Sequence, residues 1–333
     1  MTRIRWGVLS TAGIGMRKVI PAMQKSRLGT VTAIASRSLK RAQAAARKLN
    51  IPLAFASYEA LLESPDVDAI YIPLPNSLHV HWSRQALEAG KHVLCEKPIA
   101  LSARDTEPLL FAAAEHPDLV VAEAFMYRHH PQWVRTRELV QQGVIGTIRA
   151  VHAAFAYCNK DPRNIRNKLE TGGGALLDIG CYGVSVARYL FGTEPRRVSA
   201  TMQRDAAFGT DILASALLDF GSGTCSVTCA TQLHRYQRVE ILGDRGNITI
   251  DVPFNAPPDA SVSIRVEHAT GVEALRFEPV DQYSLQADAF ALAIRKNIAM
   301  PTPLEDAMSN MRVIDGLFQS ASRRSWVAVS AGA

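Results

Sequence analysis

Lys97 closes an apolar, strand-like run, His92-Val93-Leu94-Cys95, inside the tripeptide Glu96-Lys97-Pro98. A lysine at the carboxyl end of a strand stands where open α/β sheets hold their ligands. Pro98 restricts the backbone of the residue before it, so the amine is aimed rather than free. A partly desolvated lysine can release its proton near neutral pH, as acid–base catalysis requires. The alternative is an ordinary lysine in a surface turn. A second cluster has residue types suited to the same chemistry, in Gly172-Gly173-Gly174-Ala175-Leu176-Leu177-Asp178-Ile179-Gly180-Cys181-Tyr182. The glycines open a helix, and Asp178 and Tyr182, four apart, project from one face. With Lys97 they supply a carboxylate, a phenol and an amine, and a lysine lowers a nearby tyrosine's pKa and can relay its proton. Taken singly, Asp178 reads equally as a capping carboxylate and Tyr182 as a buried core tyrosine.

A third group could hold a phosphate-bearing cofactor. The first apolar strand, Ile4–Leu9, runs into Ser10-Thr11-Ala12-Gly13-Ile14-Gly15 and then a helix. A dinucleotide fingerprint wants glycine at the first, third and sixth of these positions. Here they hold Ser10, Ala12 and Gly15, with an additional Gly13. Small side chains still let the backbone approach a pyrophosphate. A tight structural turn is the competing reading. After the second strand, where a NAD site offers an acid to the ribose, the chain has Ser36-Arg37-Ser38 followed by Lys40 and Arg41. A hydroxyl with a forked, always-charged guanidinium suits a 2′-phosphate, so NADP is the expected cofactor, with NAD possible. Lys40 and Arg41 fit a solvated helix face equally well.

The charge pattern agrees. The net charge is +6, yet residues 1–58 hold eleven Lys or Arg and no Asp or Glu, leaving 6 − 11 = −5 for the rest. With no nucleic-acid motif beside it, this basic segment points to a phosphate-rich cofactor. The composition, 47% hydrophobic and 20% charged, is that of a globular protein. No apolar run suits a membrane span, and no charged, hydrophobic leader precedes the first strand, so a cytoplasmic protein is expected. Five scattered cysteines fit a reducing compartment. Cys225 and Cys229 lie in an alternating strand pattern, which favours two small core residues over a metal site, so no metal is expected.

The elements that must position these groups fall into two textures. Up to about residue 123 short apolar strands (4–9, 31–36, 69–73, 92–95, 119–122) alternate with helical stretches, which implies a parallel, doubly wound sheet. Beyond it, helices at 132–142 and about 175–191 accompany strands from 147 to 277, with turn signals at Gly221-Ser222-Gly223 and Asp244-Arg245-Gly246. That succession implies a large, mainly antiparallel sheet. The expected organisation is therefore α/β, with a dinucleotide domain over 1–123 and an α+β substrate and assembly domain over 124–333. Helices at about 284–297 and 304–320 close the chain, the last able to pack back on the first domain.

These features together resemble the glucose–fructose oxidoreductase/inositol dehydrogenase/MocA family. The matching stretches are the small-residue turn, Tyr71-Ile72-Pro73-Leu74-Pro75-Asn76-Ser77-Leu78-His79, Glu96-Lys97-Pro98, Glu123-Ala124-Phe125-Met126-Tyr127-Arg128 and the GGG-x₃-D-x-G-x-Y segment. The resemblance implies a Rossmann domain, an open sheet that joins subunits into a homodimer or homotetramer, and hydride transfer from a sugar or related polyol. Lys97 would be catalytic, with Asp178 orienting substrate or lysine. Tyr182 places the chain with the branch of aldose and dihydrodiol dehydrogenases, where inositol dehydrogenases carry histidine. Pro73, Asn76, His79 and Glu96 would lie along the cofactor, Asn76 and His79 near the nicotinamide ribose. Arg128 and Arg166 are candidate contacts to substrate hydroxyls, or else structural ion-pair partners. Two other readings stay open: reduction of a different keto-sugar or an imine, and a non-catalytic sensor of NADP.

Overall fold

The computed structural model describes residues 3–329, which form two compact units. Unit 1 takes residues up to Ala100, Arg104–Met126 and, from far along the chain, Asp281–Met308; unit 2 takes Leu101–Ala103, Tyr127–Val280 and the chain from Ser309. The division thus gives unit 1 a late segment that a single boundary after residue 123 leaves out. The last helix, Leu304–Arg323, is divided between the two sets, and from Ser309 it belongs to unit 2.

Unit 1 is built on a parallel sheet of six strands: β1 (Ile4–Leu9), β2 (Gly29–Ala35), β3 (Leu53–Phe55), β4 (Ala69–Ile72), β5 (His92–Cys95) and β6 (Val121–Glu123). Their order, β3-β2-β1-β4-β5-β6, reverses direction at β1, which makes the β1/β4 crevice the place for a ligand. β4 is buried at every residue, the signature of a strand covered on both faces. β6 starts two residues later than its apolar run suggests, because Leu119 closes a turn onto the His116 carbonyl. The returning helix, Gln282–Lys296, is capped by Asp281 and lays Phe290 against Trp6, ring centroids 5.2 Å apart. Ala287, Phe290 and Ala291 are buried in one core with Trp6, Val8, Ile34 and Tyr71.

Unit 2 holds a nine-stranded sheet, made of β7 (Ile148–Cys158), β8 (Arg197–Arg204), β9 (Asp211–Asp219), β10 (Thr224–Ala230), β11 (Gln232–Gly243), β12 (Gly246–Ile250), β13 (Val262–His268), β14 (Gly271–Phe277) and β15 (Val327–Ala328). Every pairing is antiparallel except β7 with β10, so the sheet is mixed and mainly antiparallel. Both expected turns are hairpins, joining β9 to β10 and β11 to β12. Cys225, Val227 and Cys229 alternate inward along β10 and are buried. The helical segment Leu176–Phe191 lies directly on them. A Cβ on Gly180 would come within 2.8 Å of Cys229 Sγ, and one on Gly183 within 2.6 Å of Val227, so glycine permits this close approach. No helix among the described residues is long and apolar enough to cross a membrane.

The late return of the chain to unit 1 is testable. Phe290→Ala should cost about 3–5 kcal/mol in urea unfolding, as a large buried aromatic does. A loss under about 1 kcal/mol, typical of a surface change, would show the helix is not part of that core.

Candidate active site

The β1/β4 crevice is closed by the turn after β1. Ser10 occupies the first glycine position of the fingerprint with φ +117°, a conformation that L side chains rarely adopt. Its hydroxyl compensates by accepting from Ala12 N–H and donating to the Pro73 carbonyl, each at 3.2 Å. Thr11, Ala12, Gly13 and Ile14 are partly exposed along the turn, and Gly15 is buried. At the end of β2, Ser36 is buried and accepts from Ser38 N–H at 3.4 Å, while Arg37, Lys40 and Arg41 are exposed. No acid follows until Glu59. Small residues at the crevice with an exposed guanidinium at the end of β2 fit a dinucleotide that carries an extra phosphate on its ribose.

Lys97 follows β5 directly, and its peptide bond to Pro98 is cis. The backbone around it is held by side chains from three neighbouring elements. Glu96 accepts from the Tyr71 hydroxyl of β4 at 2.6 Å. The Pro98 carbonyl meets His79 Nδ1 at 2.7 Å, and Ile99 N–H donates to the Glu123 carboxylate at 2.7 Å. His79 also places Nε2 2.8 Å from the Leu74 carbonyl and is fully buried. Burial pushes its pKa down to about 4, so the ring is neutral and donates to one of the two carbonyls at a time. This corrects the expectation for His79. With both nitrogens engaged inside the protein, it braces the Pro73–Ser77 and Glu96–Pro98 loops from behind instead of touching a ribose. Asn76, within the first of these loops, opens a short 3₁₀ turn, Asn76–Leu78.

Unit 2 supplies the other two expected groups. Asp178 lies in a π-helical turn, Leu176–Gly180, that runs into the helix Cys181–Phe191 carrying Tyr182. π turns widen a helix locally and recur at functional sites. The Asp178 carboxylate accepts from Tyr157 Oη at 2.5 Å and from Arg166 Nε at 2.9 Å. Its side chain is only 11% exposed against 40% for Arg166, so the pair sits at an opening rather than on open surface. Burial, with the Asp178 charge beside it, raises the Tyr157 pKa far out of range, so that phenol stays a donor. Tyr182 is buried among Phe155, Phe254 and Tyr127, ring centroids 5.7, 5.1 and 5.9 Å away.

The arginines separate. Arg166 is the ion-pair partner of Asp178. Arg128 is buried, donating to Ser185 Oγ at 2.7 Å and to Tyr127 Oη at 3.3 Å, with its guanidinium 5.3 Å from the Tyr189 ring. Those partners make Arg128 a brace within the core of unit 2.

Three residues escape a reading of the sequence. Tyr157 follows Ala153 and Phe155 on one face of β7, and alternation alone marks it as core. Glu123 is named only by its motif. Asp211, 2% exposed, accepts from Leu176 N–H at 2.7 Å and caps the helical segment that bears Asp178 and Tyr182. Burial raises its pKa. Gly174 has φ +123°, and a Cβ there would fall 2.1 Å from the Asp211 carboxylate, which explains the third glycine of the run.

The brace behind Lys97 predicts a split in kinetics. His79→Leu should lower kcat by about 10²-fold, as a misplaced catalytic group does, with NADPH affinity by fluorescence changed less than about threefold. His79→Gln, which keeps one donor, should recover part of the loss. A large rise in Kd with kcat intact would make His79 a cofactor contact.

Comparison with known proteins agrees with both units. Residues 4–124 match the oxidoreductase family with an NAD-binding Rossmann fold, and residues 133–249 match the GFO/IDH/MocA C-terminal domain. An uncharacterized oxidoreductase, ORF334 of Rhizobium meliloti, is 42% identical over 99% of this chain and 100% of its own. D-xylose 1-dehydrogenase (NADP(+)) 2 of Haloferax volcanii is 40% identical, over 95% of this chain and 97% of its own. Among solved structures, KijD10, a 3-ketoreductase from Actinomadura kijaniata in complex with NADP and TDP-benzene, superposes with a TM-score of 0.90 at 32% identity, covering 96% of this chain and 98% of that one. The chain belongs to the GFO/IDH/MocA family of oxidoreductases.

Proposed function

We propose that the protein is an NADP(H)-dependent enzyme that moves hydride between nicotinamide and a sugar or a related cyclic alcohol or carbonyl, with Lys97, Asp178 and Tyr182 as its catalytic group. The observation that carries this reading is the bracing of residues 96, 98 and 99 by Tyr71, His79 and Glu123, which holds an amine at the end of β5. The Ser10–Gly15 turn, Pro73, Asn76, Glu96 and Lys97 would hold the dinucleotide, with Ser36, Arg37 and Arg41 at its 2′-phosphate. When bound, the cofactor supplies a hydride acceptor or donor.

The protons are handled by the chain itself. In oxidation Tyr182, or Lys97 directly, takes the hydroxyl proton as the C–H bond yields its hydride. In reduction the same group protonates the carbonyl oxygen, and the Lys97 cation stabilises the charge that develops on it. Asp178, tied to Tyr157 and Arg166, orients the substrate or the lysine from a fixed position. Arg166 acts on substrate through that carboxylate.

The xylose dehydrogenase relative supports an aldose as substrate. A second reading, reduction of a keto-sugar, is supported by the likeness to KijD10, a 3-ketoreductase. A spectrophotometric panel of aldoses, inositols, dihydrodiols and keto-sugars with NADP(H) and NAD(H) separates them. The face of the nine-stranded sheet that carries His152, Ala154, Ser226 and Thr228, residues in register on β7 and β10, would join subunits into a homodimer or homotetramer; sedimentation velocity reads that directly.

Lys97→Ala should lower kcat by about 10²–10⁴-fold, the range of general acid–base catalysis, while NADPH binds nearly as before. Near-wild-type turnover would sink the assignment. Tyr182→Phe should be milder if Lys97 can act alone. Arg37→Ala should raise KM for NADPH about tenfold, the worth of one charge-assisted hydrogen bond, and leave KM for NADH unchanged. Equal KM values for the two cofactors in the wild type would refute the NADP preference.

A further inference from the structure

The additional glycine of the fingerprint turn, Gly13, is not explained by its backbone. Gly13 has ordinary helical conformation, so φ does not require glycine there. Its surroundings give another reason. A Cβ on Gly13 would lie 2.8 Å from Arg17 Nη2 and 3.0 Å from Arg17 Cζ and Nη1, and those guanidinium atoms are its three nearest neighbours. Arg17, one helical turn on, folds its head back toward Gly13. The head has no acid to meet. Residues 1–58 contain none, and among the described residues the Arg17 guanidinium makes no ion pair or hydrogen bond. Arg17 is exposed, so its forked cation is open to an anion at the turn.

We propose that Arg17 is a cofactor-binding residue: its guanidinium takes the pyrophosphate of the dinucleotide, and Gly13 is glycine to leave room for it. The inference rests on the NADP(H) reading above. It also accounts for the departures at Ser10 and Ala12. Where two fingerprint glycines are replaced, backbone N–H groups are less open to the phosphates, and a forked cation supplies the missing donors. Arg17 thereby differs in task from Arg37. Arg17 meets a group common to NAD and NADP, and Arg37 meets the phosphate that tells them apart.

Calorimetric titration and NADPH fluorescence test this without turnover. Arg17→Ala should weaken NADPH and ADP-ribose alike, each about tenfold, the scale of one charge-assisted contact, and leave 2′-AMP, which lacks a pyrophosphate, unchanged in competition. Arg37→Ala should instead weaken NADPH and 2′-AMP and leave ADP-ribose unchanged. Gly13→Ala closes the double-mutant cycle. Its Cβ displaces only the end of a flexible side chain, so the variant folds, and circular dichroism checks this. It should weaken ADP-ribose when Arg17 is present and do little when combined with Arg17→Ala. Three results would overturn the proposal: ADP-ribose affinity within twofold of wild type in Arg17→Ala, an equal loss for 2′-AMP, or the same cost of Gly13→Ala with and without Arg17→Ala. Failure of the wild type to bind NADPH at all would instead remove the cofactor reading beneath it.

Discussion

One constraint governs unit 1: a short loop must present an amine at the sheet's carboxyl edge without letting it wander. A lysine side chain is flexible, and an unanchored loop would add the freedom of its backbone. The loop's neighbours remove the second source. Glu96 is tied to β4 through Tyr71, the Pro98 carbonyl to the helix His79–Glu88 through His79, and Ile99 N–H to β6 through Glu123. Tyr71, His79 and Glu123 are buried, where a hydrogen bond competes little with water and its loss leaves an unsatisfied group. The rigid scaffold thus extends to the residues on either side of Lys97.

Unit 2 solves the same problem for a carboxylate and a phenol, with different means. Asp178 is held at its own atoms by Tyr157 and Arg166, and the helical segment that bears it is held at its start by Asp211. Gly174 lets the Asp211 carboxylate reach the backbone of that first turn, and Gly180 and Gly183 let the segment sit on β10. Tyr182 is fixed by packing against three aromatic rings. Removing any one of these supports would move a proposed catalytic group without touching it, so their loss is expected in kcat ahead of affinity.

The proposed catalytic residues stand out in the sequence and their supports are hidden, for a physical reason. Strand periodicity, turn glycines and a lysine after an apolar run are local signals, readable within about ten residues. The placing of Lys97 after β5, the two hairpins and the alternation that builds the parallel sheet follow from them. The family resemblance puts His79 near the nicotinamide ribose, because it matches a motif and not a set of neighbours. Only the three-dimensional neighbours show both its nitrogens on carbonyls. The bracing partner of Arg128 is equally remote, Ser185 lying 57 residues on. Asp211 and the helix Gln282–Lys296 reach their places across separations that no local pattern reports. β3, three residues long, is too short to announce itself.

In the proposed function, Lys97 and Tyr182 act as a single proton-handling group. A double-mutant cycle on hydride transfer, measured in single turnover at saturating NADPH with Lys97→Met, Tyr182→Phe and the double variant, tests it most directly. Groups that work as a unit are strongly non-additive. The double variant should be scarcely slower than Lys97→Met alone. Losses that multiply independently would contradict it.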